Sequence, residues 1–149
     1  MLKEHTWLFS ALTAAISWGI HYAAAGALSK NLPASLITIL YLTLVTVSSV
    51  LIMIFIRGPQ LLTQDVINHL NLNVLTQLGI MVVTGCLSNF LIFNAIADST
   101  ATKASIVEIT YPLFVAIFSL VIYGENSLNL GLGIGGLLIF SGVIIVFKS

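Results

Sequence analysis

The charged residues of this chain fall so far apart that the stretches between them can each cross a lipid bilayer. No Asp, Glu, Lys or Arg intervenes between Glu4 and Lys30, between Lys30 and Arg57, between Asp65 and Asp98, or between Glu125 and Lys148. Between Lys103 and Glu125 a single charge interrupts, Glu108. A helix spanning the hydrocarbon needs about 20 residues, and every one of these windows reaches that length. Soluble domains carry about 25% charged residues, whereas this chain has 7% charged and 58% hydrophobic residues. A soluble globule of this size cannot hide that much apolar surface; lipid accepts it.

The spans are predicted as helices at about 6–29, 33–56, 74–97, 101–123 and 128–147. The runs are twice the length of a barrel strand and do not alternate polar with apolar, which favours helices over a β-barrel. A helix also satisfies its own backbone in lipid. The expected fold class is therefore an all-α integral membrane protein, a bundle of five transmembrane helices forming one domain over 1–149. Asn31-Leu32-Pro33 separates the first two helices, with Pro33 suited to a first turn. Asp98-Ser99-Thr100 supplies capping side chains before the fourth, and Ser127 is a candidate cap for the fifth. The polar segment from Gln60 to Asn73 reads either as a short interfacial helix or as a plain loop. Lys3 ahead of an apolar run, with Ala23-Ala24-Ala25 beyond it, has the outline of a secretory signal. The apolar run continues through Leu28 and Glu4 disrupts the basic start, so a retained first span is expected.

Five spans put the two ends on opposite faces. Lys3 and Arg57 then share one face (2) and Lys30, Lys103 and Lys148 the other (3), an excess of 3 − 2 = 1. Lys and Arg normally favour the cytoplasmic face. So small a bias fits either a weak single orientation or insertion both ways. The net charge of zero gives no field to attract nucleic acid. The lone Cys86 excludes an internal disulfide and reads as a small packing residue. There is no Gly-rich phosphate loop and no HExxH pair, nor a GxSxG elbow. No enzyme, cofactor or metal is indicated, and transport driven by ATP hydrolysis in this chain is excluded.

Trp18-Gly19, Leu32-Pro33, the aromatic stretch Asn89-Phe90-Leu91-Ile92-Phe93-Asn94-Ala95-Ile96, Ala101 and Ala104, Tyr111-Pro112-Leu113-Phe114, Gly124-Glu125, and Gly135-Gly136 with Gly142-Val143 follow one another along nearly the whole chain. In order and spacing they resemble the EamA domain of the drug/metabolite transporter superfamily. That resemblance implies a half-size, five-helix member. Full-length relatives carry two such domains in inverted orientation around a central cavity, so a single domain is expected to pair, as an antiparallel homodimer or with a second EamA-like half. The implied activity is secondary transport of a small solute across the cell membrane. Two departures stand out. Leu40-Tyr41 occupies a position where many EamA domains carry an Arg, and helix one has His21 in the region where small multidrug resistance proteins keep an acid. Half of a heteromeric lipid-precursor flippase, or a non-transporting membrane scaffold or regulatory subunit, are the competing readings. The scaffold reading expects Glu108 and His21 to pair internally and to line no open cavity.

Glu108 is the leading candidate for a substrate- or proton-binding residue. It lies about 10 Å along the fourth helix from Ala101, and an ionisable group in a span is expensive and usually faces a cavity or partner. Pro112 has no N–H for the carbonyl four residues back, and that carbonyl belongs to Glu108. An acid and a freed acceptor thus coincide beside an expected kink, where transporters build sites. Histidine as a residue type can change charge near neutral pH, and His21 is expected to share a face with Ser17 and Trp18, extended by Ala14 and Ala25; Trp18 offers a ring to a cation. Asn89, on a face with Gly85 and Ser88, reads as solute ligand or interhelical glue. Tyr111 and Ser105 flank Glu108, and Tyr41 is a further candidate. Gly131, Gly135 and Gly142 mark the fifth helix as a packing or dimerisation helix, with Pro112 counted among the packing residues.

Overall fold

The computed structural model describes residues 6–58, 63, 70–126 and 128–148. It is all-α, with no strand among the described residues. The helices are α1 (Thr6–Leu28), α2 (Ala34–Arg57), α3 (Leu72–Asp98), α4 (Ala101–Glu108), α5 (Tyr111–Tyr123) and α6 (Leu130–Phe147). Counting α4 and α5 as one segment, five are long and apolar enough to span a membrane: Leu8–Leu28, Ala34–Ile56, Leu72–Asp98, Ala101–Tyr123 and Leu130–Phe147. The first span is one unbroken helix through Ala23-Ala24-Ala25. Of each span's central window no more than 11% is buried within the protein, which leaves the bilayer to cover the rest.

Helix boundaries follow local chemistry. Pro33 precedes α2 rather than opening it, in an extended conformation (φ −67°, ψ 147°), and its carbonyl accepts from the Leu36 and Ile37 N–H groups. The third helix begins at Leu72, two residues before the expected 74, because the Asn71 side chain accepts from the Val74 N–H at 3.0 Å. Thr100 caps α4 by accepting from the Lys103 N–H at 3.2 Å. The cap of α6 is Asn129, which accepts from the Leu132 N–H at 2.9 Å, so that helix starts at Leu130 instead of 128. Ser127 lies outside the described residues, as does most of the predicted interfacial segment 60–73. Gly124 ends α5 in the left-handed conformation (φ 72°), where a side chain costs about 1 kcal/mol. The Glu125 N–H then donates to the Ser119 carbonyl at 3.1 Å. Gly124-Glu125 is thus a helix stop.

The expected fourth helix is interrupted at Ile109-Thr110. Pro112 has no N–H to give the Glu108 carbonyl, and the backbone tightens: the Thr110 N–H donates to Val107 and the Leu113 N–H to Thr110, both three residues back. The Thr110 hydroxyl also donates to the Val107 carbonyl, at 2.9 Å. Three-residue bonds of this kind mark the tighter 3₁₀ turn.

The chain divides into two compact units, Met1–Ala27 with Ala95–Ser149, and Leu28–Asn94. In the first, α1 meets α4 where Gly26 faces Ala101; a Cβ on Gly26 would sit 2.9 Å from the Ala101 Cβ. There too Leu113 of α5 lies over Gly136 of α6, so closely that any Cβ there would collide with it. Gly136 is buried. The close helix approach therefore falls at Gly136. Gly131 neighbours only its own Asn129 cap, and Gly135 and Gly142 meet nothing within 4 Å. Gly131 and Gly135 face away from this contact, since adjacent residues lie about 100° apart around a helix, and they stay candidates for the dimerisation reading.

In the second unit, Ala34, Ile37 and Thr38 form the buried edge of α2. One turn on, the Tyr41 ring meets Phe93 of α3 edge-to-face, with centroids 5.6 Å apart, and Phe93 is the most deeply buried large side chain. Cys86 is exposed and not the packing residue expected of it.

Candidate functional site

The first unit contains a cavity of about 530 Å³ between α1 and the α4–α5 segment. Its origin is the antiparallel run of the two segments away from the Gly26–Ala101 contact. Gly26 brings the backbones together, whereas Gly19, two turns back along α1, has nothing within 4 Å of its Cβ position. Seven residues beyond Ala101, about 10 Å along α4, stands Glu108. The α1 wall is Ala15, Trp18, Gly19, Tyr22 and Ala23, a stripe at i, i+3, i+4, i+7 and i+8. The opposite wall carries Thr102, Ser105, Glu108 and, past the helix break, Tyr111.

Three of the sequence candidates are thus brought together: Glu108, Trp18 and Tyr111. Tyr22 is a ring that the sequence reading missed. Its signal was present, since Trp18 and Tyr22 are four residues apart and Ala15, Gly19 and Ala23 leave room on the same face. The structure turns α1 so that this stripe, and not Ser17 with Ala14 and Ala25, borders the cavity. His21 does not line it. Its ring meets Trp18 edge-on, with centroids 5.1 Å apart at 89°, and Tyr22 at 5.7 Å. Trp18 and Tyr22 are 6.0 Å apart and inclined by 36°. His21 thereby braces the two rings that border the cavity.

Glu108 is half-buried and is the only charged side chain among the described residues that line the cavity. Its carboxyl has no hydrogen-bond or ion-pair partner among the described residues, so it does not pair with His21. The neighbouring hydroxyl is already engaged, with Ser105 donating to the Thr102 carbonyl at 3.0 Å. The cavity is open on one side: Trp18 is 49% and Tyr111 59% exposed. A second hollow, of about 400 Å³ between α5 and α6, is lined by Leu113, Ala116, Leu132 and neighbours and carries no titratable group.

Asn89 and Tyr41 belong to the second unit. Asn89 donates to the Gly85 carbonyl at 2.9 Å, and Asn94 to the Phe90 carbonyl at 2.7 Å. Each amide spends a donor on its own helix, where interhelical bonding was among the expectations. The hydroxyls follow the same rule: Thr13, Ser17, Thr38, Thr46, Thr76 and Ser141 all donate to the carbonyl four residues back.

A polytopic helical membrane protein, with an unpartnered acid on a ring-lined cavity inside a span, has the build of a small-solute carrier. Residues 5–148 match the EamA-like transporter family, and the chain belongs to that family. It is therefore a multi-pass membrane protein of drug/metabolite transporter type, and members of its family are transporters, not enzymes. No curated protein and no solved structure matches the chain.

Proposed function

We propose that this chain is a single EamA-like domain working as one half of a secondary transporter in the cell membrane, paired with a second half in inverted orientation. The observation that carries the reading is the unpartnered carboxyl of Glu108 on an open cavity within a membrane span. A carboxyl kept at such depth without an internal partner has a ligand that comes and goes. Glu108 binds the solute or the coupling proton, Trp18 and Tyr111 contact the solute, and His21 holds Trp18 in place. Alternating access follows from rocking one half against the other around the shared site. Asn89 and Tyr41 remain candidate solute contacts, to be tested through Asn89→Ala and Tyr41→Phe.

The open cavity and the unpaired acid speak against a scaffold, which needs neither. The near-balanced charge of the two faces is compatible with an inverted homodimer and equally with a single weak orientation; a heteromeric flippase half would be marked by a partner of opposite bias. The test is solute flux into proteoliposomes under an imposed pH gradient, with vesicle contents read by mass spectrometry from a mixed solute pool. Glu108→Gln should abolish gradient-driven accumulation while the protein still inserts. Accumulation equal to that of the unaltered protein would overturn the assignment.

A further inference from the structure

We infer that the break between α4 and α5 binds one alkali metal cation in each copy of the chain, held by backbone carbonyls and the Glu108 carboxylate. This deepens the reading of the Glu108 cavity as the transport site, on which any role of the ion in flux rests. Three carbonyls at the break lose the donor that an unbroken helix gives them. The Thr110 N–H turns from Ile106 to Val107, and the Leu113 N–H turns from Ile109 to Thr110. Pro112 has no N–H for Glu108. Ile106, Glu108 and Ile109 all line the cavity of about 530 Å³. The break lies near the middle of the 23-residue span Ala101–Tyr123, a depth at which irregular backbone is tolerated only inside protein or beside a water-filled cavity. Ser105 adds a further oxygen on the same wall. Its hydroxyl donates to the Thr102 carbonyl at 3.0 Å, which leaves the oxygen's lone pairs free to act as a ligand.

Charge explains why a cation, and not water alone, completes this site. Glu108 is the last residue of α4, so its carboxylate stands at the negative end of that helix's dipole. The last turn carries no basic residue. The start of α5 offers little to offset the charge, because Pro112 lacks an N–H and those of Thr110 and Leu113 are spent on carbonyls. Carboxylate and freed carbonyls thus share one sign, and no Lys, Arg or His among the described lining residues opposes them. Unwound carbonyls and the C-terminal ends of half-helices are the groups that hold small inorganic cations at membrane depth. A divalent ion asks for six or more oxygen ligands, and the described residues hold no group of three or more His, Cys, Asp or Glu able to bind a metal. One carboxylate balances a single positive charge. The carbonyls belong to each chain's own break, so an inverted pair carries two such sites. Residue types give little sign of them, since most of the oxygens are backbone.

The experiment is equilibrium binding of radiolabelled sodium, and in parallel of radiolabelled rubidium as the stand-in for potassium, to the detergent-purified protein. Ionic strength is held constant with N-methyl-D-glucamine chloride. One label should saturate at a single ion per chain, and which of the two binds at the lower concentration identifies the ion. Pro112→Ala returns a donor to the Glu108 carbonyl and should weaken binding about fivefold. Glu108→Gln should weaken it at least about tenfold. Absence of saturable binding for both labels would overturn the inference. So would displacement by magnesium at a lower concentration than by either alkali ion, or a Pro112→Ala protein that binds as tightly as its parent. The magnesium comparison and the stoichiometry use the unaltered protein, so they decide the matter even where Glu108→Gln misfolds. Vesicle flux separates the two claims. Glu108-dependent solute flux without saturable ion binding removes the ion site alone. Ion binding without any solute flux removes the transport reading and leaves the site.

Discussion

At the scale of single residues, three positions carry definite expectations. Gly136 lies beneath Leu113 with no room for a Cβ, so Gly136→Val should destabilise the protein by about 1–3 kcal/mol through overpacking. Gly135→Val, at a position with nothing within 4 Å, should cost much less, and thermal unfolding in detergent compares the two. Gly124→Ala should lose about 1 kcal/mol, since α5 ends there with φ at 72° and only glycine adopts that conformation freely. The sequence showed Glu108 as the acid to watch because charge is scarce. It did not show which face of α1 borders the cavity. In a helix that is apolar all round, hydrophobic periodicity no longer points at the core. The Ser17, Trp18 and His21 face rests on polar residues alone, and Ser17 spends its hydroxyl on the Thr13 carbonyl of its own helix.

At the scale of elements, the five spans were legible to within two residues at each end, because bilayer thickness sets their length and caps set their limits. The break in the fourth was legible in part: Pro112 announced a freed Glu108 carbonyl, but the tightening at Ile109-Thr110 depends on which carbonyls the next N–H groups choose. Pro112→Ala restores the missing donor and should fuse α4 and α5 into one straight helix. Spin labels replacing Lys103 and Tyr123 would then lie about 30 Å apart along the axis, and the parent protein should give a shorter distance. An unchanged distance would show that the proline does not cause the break. If the bend also serves the transport cycle, the same variant should turn over more slowly with its affinity for solute preserved.

At the scale of the whole molecule, pairing of inverted halves makes a prediction that no single-site change can. Lysines added beside Arg57 on one face should lock the chain in one orientation, and lysines added beside Lys103 should lock it in the other. Each locked form should insert yet carry no solute alone, and co-expression of the two should restore flux. Flux from one locked form by itself would count against inverted pairing. Labelling of both termini from outside intact cells reports directly which orientation each form takes. Neither pairing nor orientation was decidable from residue order, since a charge excess of one between the faces favours both outcomes equally.

The habit of Thr, Ser and Asn side chains to donate to the carbonyl one turn back along the same rod has a mechanical corollary. Hydrogen bonds formed inside a helix travel with it. Where helices touch through apolar groups, as at Leu113 over Gly136, sliding or turning one cylinder past the next trades one set of dispersion contacts for another of similar worth. The bonds named above stay intact along the way. Contacts of that kind make shallow ratchets, and small differences in ligand energy suffice to move them.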